Sequence, residues 1–152
     1  MERYGRLLSC VRDRQDAKTA KTPRREPDEE VDRLARAIIA AAIDVHRVLG
    51  PWFRENVYEG ALCIELELRD IRFCRQPMTN IFYKGHCVGE GRLDRGQSVV
   101  VALKVVPALP RVHTAQVLAY LKATERQLGL LINFEVARLA SGVKPVVVGP
   151  VA

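Results

Sequence analysis

The sequence lacks any apolar run approaching the ~18 residues that a membrane-spanning helix needs, so we expect no membrane span. The charged N-terminus has no apolar stretch like that of a secretory signal, and we expect none. No CxxC pair is present, and no cysteine has a metal-ligand spacing to a histidine; the cysteines are Cys10, Cys63, Cys74 and Cys87. Such isolated cysteines are typical of a reducing cytoplasm, which is the predicted location.

A chain of 152 residues, 48% hydrophobic and 28% charged, is long enough for one globular domain with a core. Its net charge of +6 is compatible with nucleic-acid binding without establishing it. Residues 1–28 carry eight Lys/Arg and five Asp/Glu with little periodicity, which predicts a flexible basic tail with a short helical piece near residues 4–11. The alternative is an arm that contacts a polyanion. We expect one domain over residues 29–148 and a C-terminal tail over residues 149–152.

Apolar residues at helical spacing predict three helices. The first begins after Asp28, a favourable N-cap, and ends at Gly50, which a proline follows. The other two cover residues 55–69 and 112–124. The polar side chains of the second helix, Glu59 among them, are expected to be solvated.

Shorter segments rich in β-branched residues predict strands over residues 71–76, 79–83, 86–93, 99–106, 129–134 and 144–148. The pair Lys84 and Gly85 is a hairpin-turn signal between the second and third of these. The order of helices and strands predicts an α/β fold with a central mixed β-sheet flanked by helices.

The segment from Asp94 to Val106 carries the first indication of a site. Seven of the eight residues 99–106 are apolar, as in a strand buried on both faces, and the eighth is Lys104. Burying an ammonium group costs on the order of several kcal/mol unless a partner or an open cleft relieves it. We therefore expect Asp94 and Lys104 on adjacent strands of one site. The alternative is that Lys104 only extends to the sheet edge and Asp94 only opens a turn.

Five segments in this order and spacing resemble the GxxExxY family, a small branch of the PD-(D/E)XK nuclease superfamily, over residues 31–148. They are GPWFRENVYEGALCIELELRDI, YKGHCVGEGRLD, ALKVV, HTAQVLAYLKAT and GLLINF. The resemblance implies a restriction-endonuclease-like core with the site at one edge of the sheet.

Glu55 and Tyr58 match the Glu and Tyr that name the family, Asp94 matches the Asp of the PD half-motif, and Lys104 matches the Lys of (D/E)xK. The resemblance implies that Asp94 and Glu55 hold Mg²⁺ or Mn²⁺, ions that oxygen ligands suit. It implies that Lys104 orients the attacking water and stabilises charge in the transition state. The candidate catalytic residues are thus Asp94, Lys104 and Glu55.

Gln116 and Tyr120 resemble the QxxxY helix motif of RecB-like exonucleases, and His113 precedes it. The resemblance implies that these three residues, with Tyr58, contact nucleic acid, above all DNA. Gln116 and Tyr120 are four residues apart and share one helix face. From the residues alone, Gln116 could equally be solvated and Tyr120 could pack in the core.

Three departures from the family pattern bear on activity. Trp52 replaces the first Gly of GxxExxY and could affect packing alone, and the link from Asp94 to Lys104 is slightly shortened. Ala102 replaces the acid of (D/E)xK on the strand face of Lys104. Losing a group that only supports a metal ligand typically costs ~10–100-fold, so losing a direct ligand should cost at least as much. Glu55 is the best substitute.

Two hypotheses of different classes follow. In the first, the protein is a metal-dependent nuclease that hydrolyses DNA phosphodiester bonds, with activity weakened or lost because of Ala102. In the second, it is a catalytically silent nuclease fold that binds nucleic acid or a protein partner. A purely structural domain is a third hypothesis.

Overall fold

A computed structural model of the chain describes residues 6–11, 29–75, 82–87 and 98–149. The helices are α1 (Glu29–Leu49), α2 (Glu55–Leu68) and α3 (Arg111–Thr124). The strands are β1 (Arg6–Val11), β2 (Arg72–Arg75), β3 (Phe82–Tyr83), β4 (His86–Cys87), β5 (Ser98–Lys104), β6 (Leu128–Asn133) and β7 (Val143–Val147). No helix in these ranges combines the length and the hydropathy that crossing a membrane requires.

One five-stranded sheet, in the order β2-β1-β5-β6-β7, forms the centre of the molecule. β5 and β6 are parallel, and every other neighbouring pair in this sheet is antiparallel. α3 is the crossover that a parallel pair requires, so it runs back along the sheet from the carboxyl end of β5. The mixed sheet with helices confirms the predicted α/β class.

Alternating side chains of β5 point to two separate apolar layers. Val99, Val101 and Leu103 pack with α1 and α2 on one face. Val100 and Ala102 pack with α3 on the other. α3 approaches the sheet closely over Gly129, since a Cβ atom there would lie 2.8 Å from a methyl carbon of Val117. Each face of the sheet is thus covered, as its nearly continuous apolar strands require.

The predicted helices are confirmed within one or two residues at their ends, and the predicted hairpin turn is confirmed. α1 ends at Gly50, whose φ of +72° suits glycine and whose amide donates to the carbonyl of His46. β3 and β4 pair antiparallel across Lys84 and Gly85, both with positive φ, as in a type I′ turn. The expected N-cap, Asp28, lies outside the described residues.

The prediction of a flexible tail over residues 1–28 is wrong for residues 6–11. These form β1, an inner strand paired with β2 on one side and β5 on the other. Leu8 is fully buried on the side of α1 and α2, and Leu7 is buried on the side of α3. A short apolar stretch does not distinguish helix from strand by its period, and both partners of β1 are distant in sequence. The domain therefore includes β1, and the other residues of the predicted tail are outside the described ranges.

The expectation that the strand before Asp94 lies beside β5 falls largely on residues outside the described ranges, and its described part, β4, pairs with β3. Residues 98–103 pair with β1 along one edge, and residues 99–104 pair with β6 along the other. A strand has only two edges, so β5 has no free edge over residues 99–103. Asp94 itself lies outside the described residues.

α2 differs from the prediction in which side chains it exposes. Glu59 was expected in solvent, but it is 1% exposed and forms an ion pair with Arg75 of β2, with 2.6 Å between the oxygen and nitrogen. Ile64 and Leu68 are apolar and nevertheless largely exposed. Apolar residues thus occupy both sides of α2, so the period of the sequence did not reveal the buried face.

Candidate functional site

Lys104 is the last residue of β5 and pairs in register with Asn133, the last residue of β6. Strand alternation places both on the face of the sheet covered by α3. The side chains are buried, with 7% of Lys104 and 3% of Asn133 exposed. Among the described residues, none forms a hydrogen bond or ion pair with the Lys104 ammonium group. Lys104 therefore places a cation without a described partner at the carboxyl end of β5.

Asn133 holds the chain that leaves Lys104. Its Oδ1 accepts from the amide of Val106 at 3.1 Å, and its Nδ2 donates to the carbonyl of the same residue at 2.8 Å. The same Oδ1 also accepts from the amide of Glu135 at 3.1 Å. These bonds fix the start of the loop to α3, and with it the end of β5. Sequence reasoning missed Asn133, although an amide inside an apolar strand was a signal of the same kind as Lys104.

Ala102 has no exposed surface. Its neighbours across the strands are Leu7 of β1 and Leu131 of β6. All three belong to the apolar cluster under α3, together with Val117 and Tyr120. The position that the family pattern gives to an acid is therefore an apolar part of the core.

The three predicted residues of α3 lie on its first three turns. His113 and Gln116 are half-buried, and Nδ1 of the histidine is 3.4 Å from Oε1 of the glutamine. Tyr120 is buried in the cluster under α3. Because α3 runs back from the carboxyl end of β5, His113 and Gln116 are closer than Tyr120 to the end of the sheet that carries Lys104.

Tyr58 is fully buried, so in this structure it offers no surface to a nucleic acid. Its ring stacks on Phe134, with 4.4 Å between centroids and 16° between planes. Its hydroxyl donates to the carbonyl of Gly50 and accepts from the amide of Phe53. Tyr58 thus holds the corner between α1 and α2 against the residue that follows β6.

Glu55 begins α2 and is half-buried. Residues three apart share a helix face, so Glu55 lies on the face of α2 that carries Tyr58, on the side of the sheet opposite α3. The amide of Phe134 in turn donates to the carbonyl of Lys104 at 2.9 Å. Glu55 therefore lies at the same end of the sheet as Lys104. We call this end, with Glu55, Lys104, Asn133 and residues 111–116, the site edge.

The described part of the site edge supplies an incomplete set of ligands for a magnesium ion. No group of three Asp, Glu, His or Cys residues among the described ranges could hold a metal. Ala102 supplies a methyl group where the pattern needs an oxygen ligand, and Asp94 is outside the described residues. Mg²⁺ in proteins is held by carboxylates and waters, so Glu55 alone is an incomplete set of ligands.

A family model for the PD-(D/E)XK nuclease superfamily matches residues 32–146, from the first turn of α1 to β7. The chain belongs to this superfamily. The match includes every candidate site residue, whereas β1 lies before it. Searches of curated proteins and of solved structures returned no match. Members of the superfamily generally use Mg²⁺ or Mn²⁺ to act on nucleic acid.

Proposed function

We propose that this PD-(D/E)XK domain binds DNA at the site edge and hydrolyses phosphodiester bonds weakly or not at all. The observation that carries the proposal is the contrast between two residues of β5. Lys104 places a cation at the strand end, whereas Ala102, two residues before it on the same face, is sealed between Leu7 and Leu131. The cation that would receive a phosphate is present, and the neighbouring acid is absent.

The residues of the site edge support binding by their charge and position. Lys104 supplies an ammonium, and Arg111 at the first turn of α3 is exposed. His113 and Gln116 add polar groups on the first two turns of α3, the part of the helix nearest this end. Cations arranged around one edge attract the DNA backbone irrespective of its sequence. Membership of the GxxExxY branch and a cytoplasmic location remain predictions.

Replacing Lys104 by Met tests the binding role without changing the length of the side chain greatly. Removing an unpaired buried charge should leave the free energy of unfolding unchanged or raise it. DNA affinity should fall, and the slope of log K against log salt should decrease by about one. Fluorescence anisotropy of labelled DNA at several salt concentrations measures both, and thermal unfolding measures stability.

The matched control is Lys122→Met, because Lys122 is exposed at the opposite end of α3. This variant should bind DNA like the wild type. If Lys104→Met and Lys122→Met bind with equal affinity and equal salt slopes, Lys104 does not contact DNA. If the wild type does not bind DNA at low salt, the proposed function is wrong.

A further inference from the structure

The corner between α1 and α2, residues 47–54, exposes apolar side chains beside cations. Trp52 is 86% exposed and Val48 is 84% exposed. The corner carries two charged residues, Arg47 and Arg54, and both are basic and exposed. Trp52 therefore has no part in core packing, and an exposed indole of this size has a cost in water that a bound ligand would remove.

Contacts with Tyr58 hold this corner in place. Tyr58 donates its hydroxyl hydrogen to Gly50, and its ring contacts Phe53 edge-on, with 6.3 Å between centroids. Gly50 has a φ of +72°, and a Cβ atom there would lie 3.4 Å from Cδ1 of Trp52, so the indole lies against the glycine. Because these contacts already fix residues 47–54, the corner loses little conformational entropy on binding, which favours Trp52 as a binding residue.

The corner lies at the same end of the sheet as Lys104, on the side covered by α1 and α2. Tyr58 stacks on Phe134, and the amide of Phe134 donates to the carbonyl of Lys104. Trp52 also stands three residues before Glu55, at the start of α2. A nucleic-acid strand that passes over this end of the sheet, from the α3 face where Lys104 points to the α1–α2 face, would reach the corner.

We propose that Trp52 stacks on an unpaired base, and that the ligand of the site edge is single-stranded nucleic acid. The inference rests on the proposed function and specifies its ligand. The bases of a duplex are already stacked inside, whereas an unpaired base offers its face to an exposed ring. Arg54, two residues after Trp52, and Arg47, whose exposed ion pair with Asp44 at 3.8 Å is weak, complement the phosphates of such a strand, which favours it over an uncharged protein surface.

Intrinsic fluorescence tests the contact directly, because Trp52 is the only tryptophan in the chain. The full chain is titrated with an oligo-dT strand and, separately, with a duplex of equal length. Stacking should quench the Trp52 emission on binding the single strand, and the duplex should bind more weakly and quench less. Affinities are measured in parallel by anisotropy of the labelled strands.

Substitutions distinguish stacking of the indole on a base from nonspecific contact with an exposed apolar side chain. Trp52→Ala should weaken single-strand binding by about 5- to 150-fold, and Trp52→Phe should retain part of the affinity, since it keeps a ring. Val48→Ala is the matched control, because Val48 is equally exposed on the same corner without a ring. It should bind like the wild type.

Two outcomes overturn the stacking inference while the proposed function stands. One is single-strand binding without quenching and with unchanged affinity in Trp52→Ala. The other is duplex binding that equals or exceeds single-strand binding. In either case Lys104→Met would still weaken binding. Absence of binding to both ligands would contradict the proposed function itself.

Discussion

The methyl group of Ala102 lies between leucines of two neighbouring strands, and this packing has a consequence for attempts to restore an acid there. A carboxylate at this position would be buried among apolar side chains, where its lost hydration is not recovered. Lys104 is two residues along the same face, but it ends the strand and so stands at the edge of the sheet. The chemistry possible at these two positions thus depends on how far each lies from the end of the strand as well as on the type of side chain.

Ala102→Glu should lower the free energy of unfolding by about 3–5 kcal/mol at neutral pH. Ala102→Gln has almost the same volume without the charge and should lose less, so the difference between the variants isolates the buried charge. Chemical denaturation of both variants measures the two free energies. Equal stability of the wild type and Ala102→Glu, with a further rise on adding Mg²⁺, would show instead that this position opens onto a metal site.

At the level of secondary-structure elements, β1 is part of this domain although it precedes the residues that the superfamily model matches. It covers the edge of β5 and supplies Leu7 beside Ala102. Because β1 contributes buried leucines to both apolar layers, we expect it to be part of the cooperative fold rather than an appendage. Its cysteine offers a chemical test.

Cys10 should resist alkylation in the folded protein, because it is fully buried in β1. Burial raises the pKa of Cys10 from its ordinary value of 9.0 to about 12, so the reactive thiolate is scarce. Cys74 is exposed and serves as the internal control. Peptide mass spectrometry after iodoacetamide treatment measures both rates. Modification of Cys10 as fast as Cys74 would mean that β1 is detached.

The same pKa shift predicts a pH dependence of stability. Below about pH 9 the Cys10 thiol is protonated in both the folded and the unfolded chain, so its burial carries no ionisation cost. Between about pH 9 and 12 only the unfolded chain ionises at this position, so stability falls as the pH rises. Cys10→Ala should show a smaller loss over this range in urea denaturation, and equal losses would contradict the shift.

For the whole molecule, the sequence supported the α/β class and the order of most elements, because helical periods and apolar runs are local signals. It did not reveal that residues 6–11 form an inner strand or which strands flank β5, since strand pairing joins segments far apart in the chain. The same limit applies to the site. Lys104 stood out as a cation in an apolar run, whereas the burial of Tyr58 depends on Phe134, which is distant in sequence.

The most direct test of binding without cutting is a cleavage assay under conditions where the DNA is bound. Labelled single-stranded and duplex DNA are incubated with the wild type above its measured Kd, in Mg²⁺ and separately in Mn²⁺, and the products are separated on a denaturing gel. The proposed function predicts that the bound DNA stays intact or is cut only very slowly. Rapid cleavage by the wild type that is lost in Lys104→Met would contradict it.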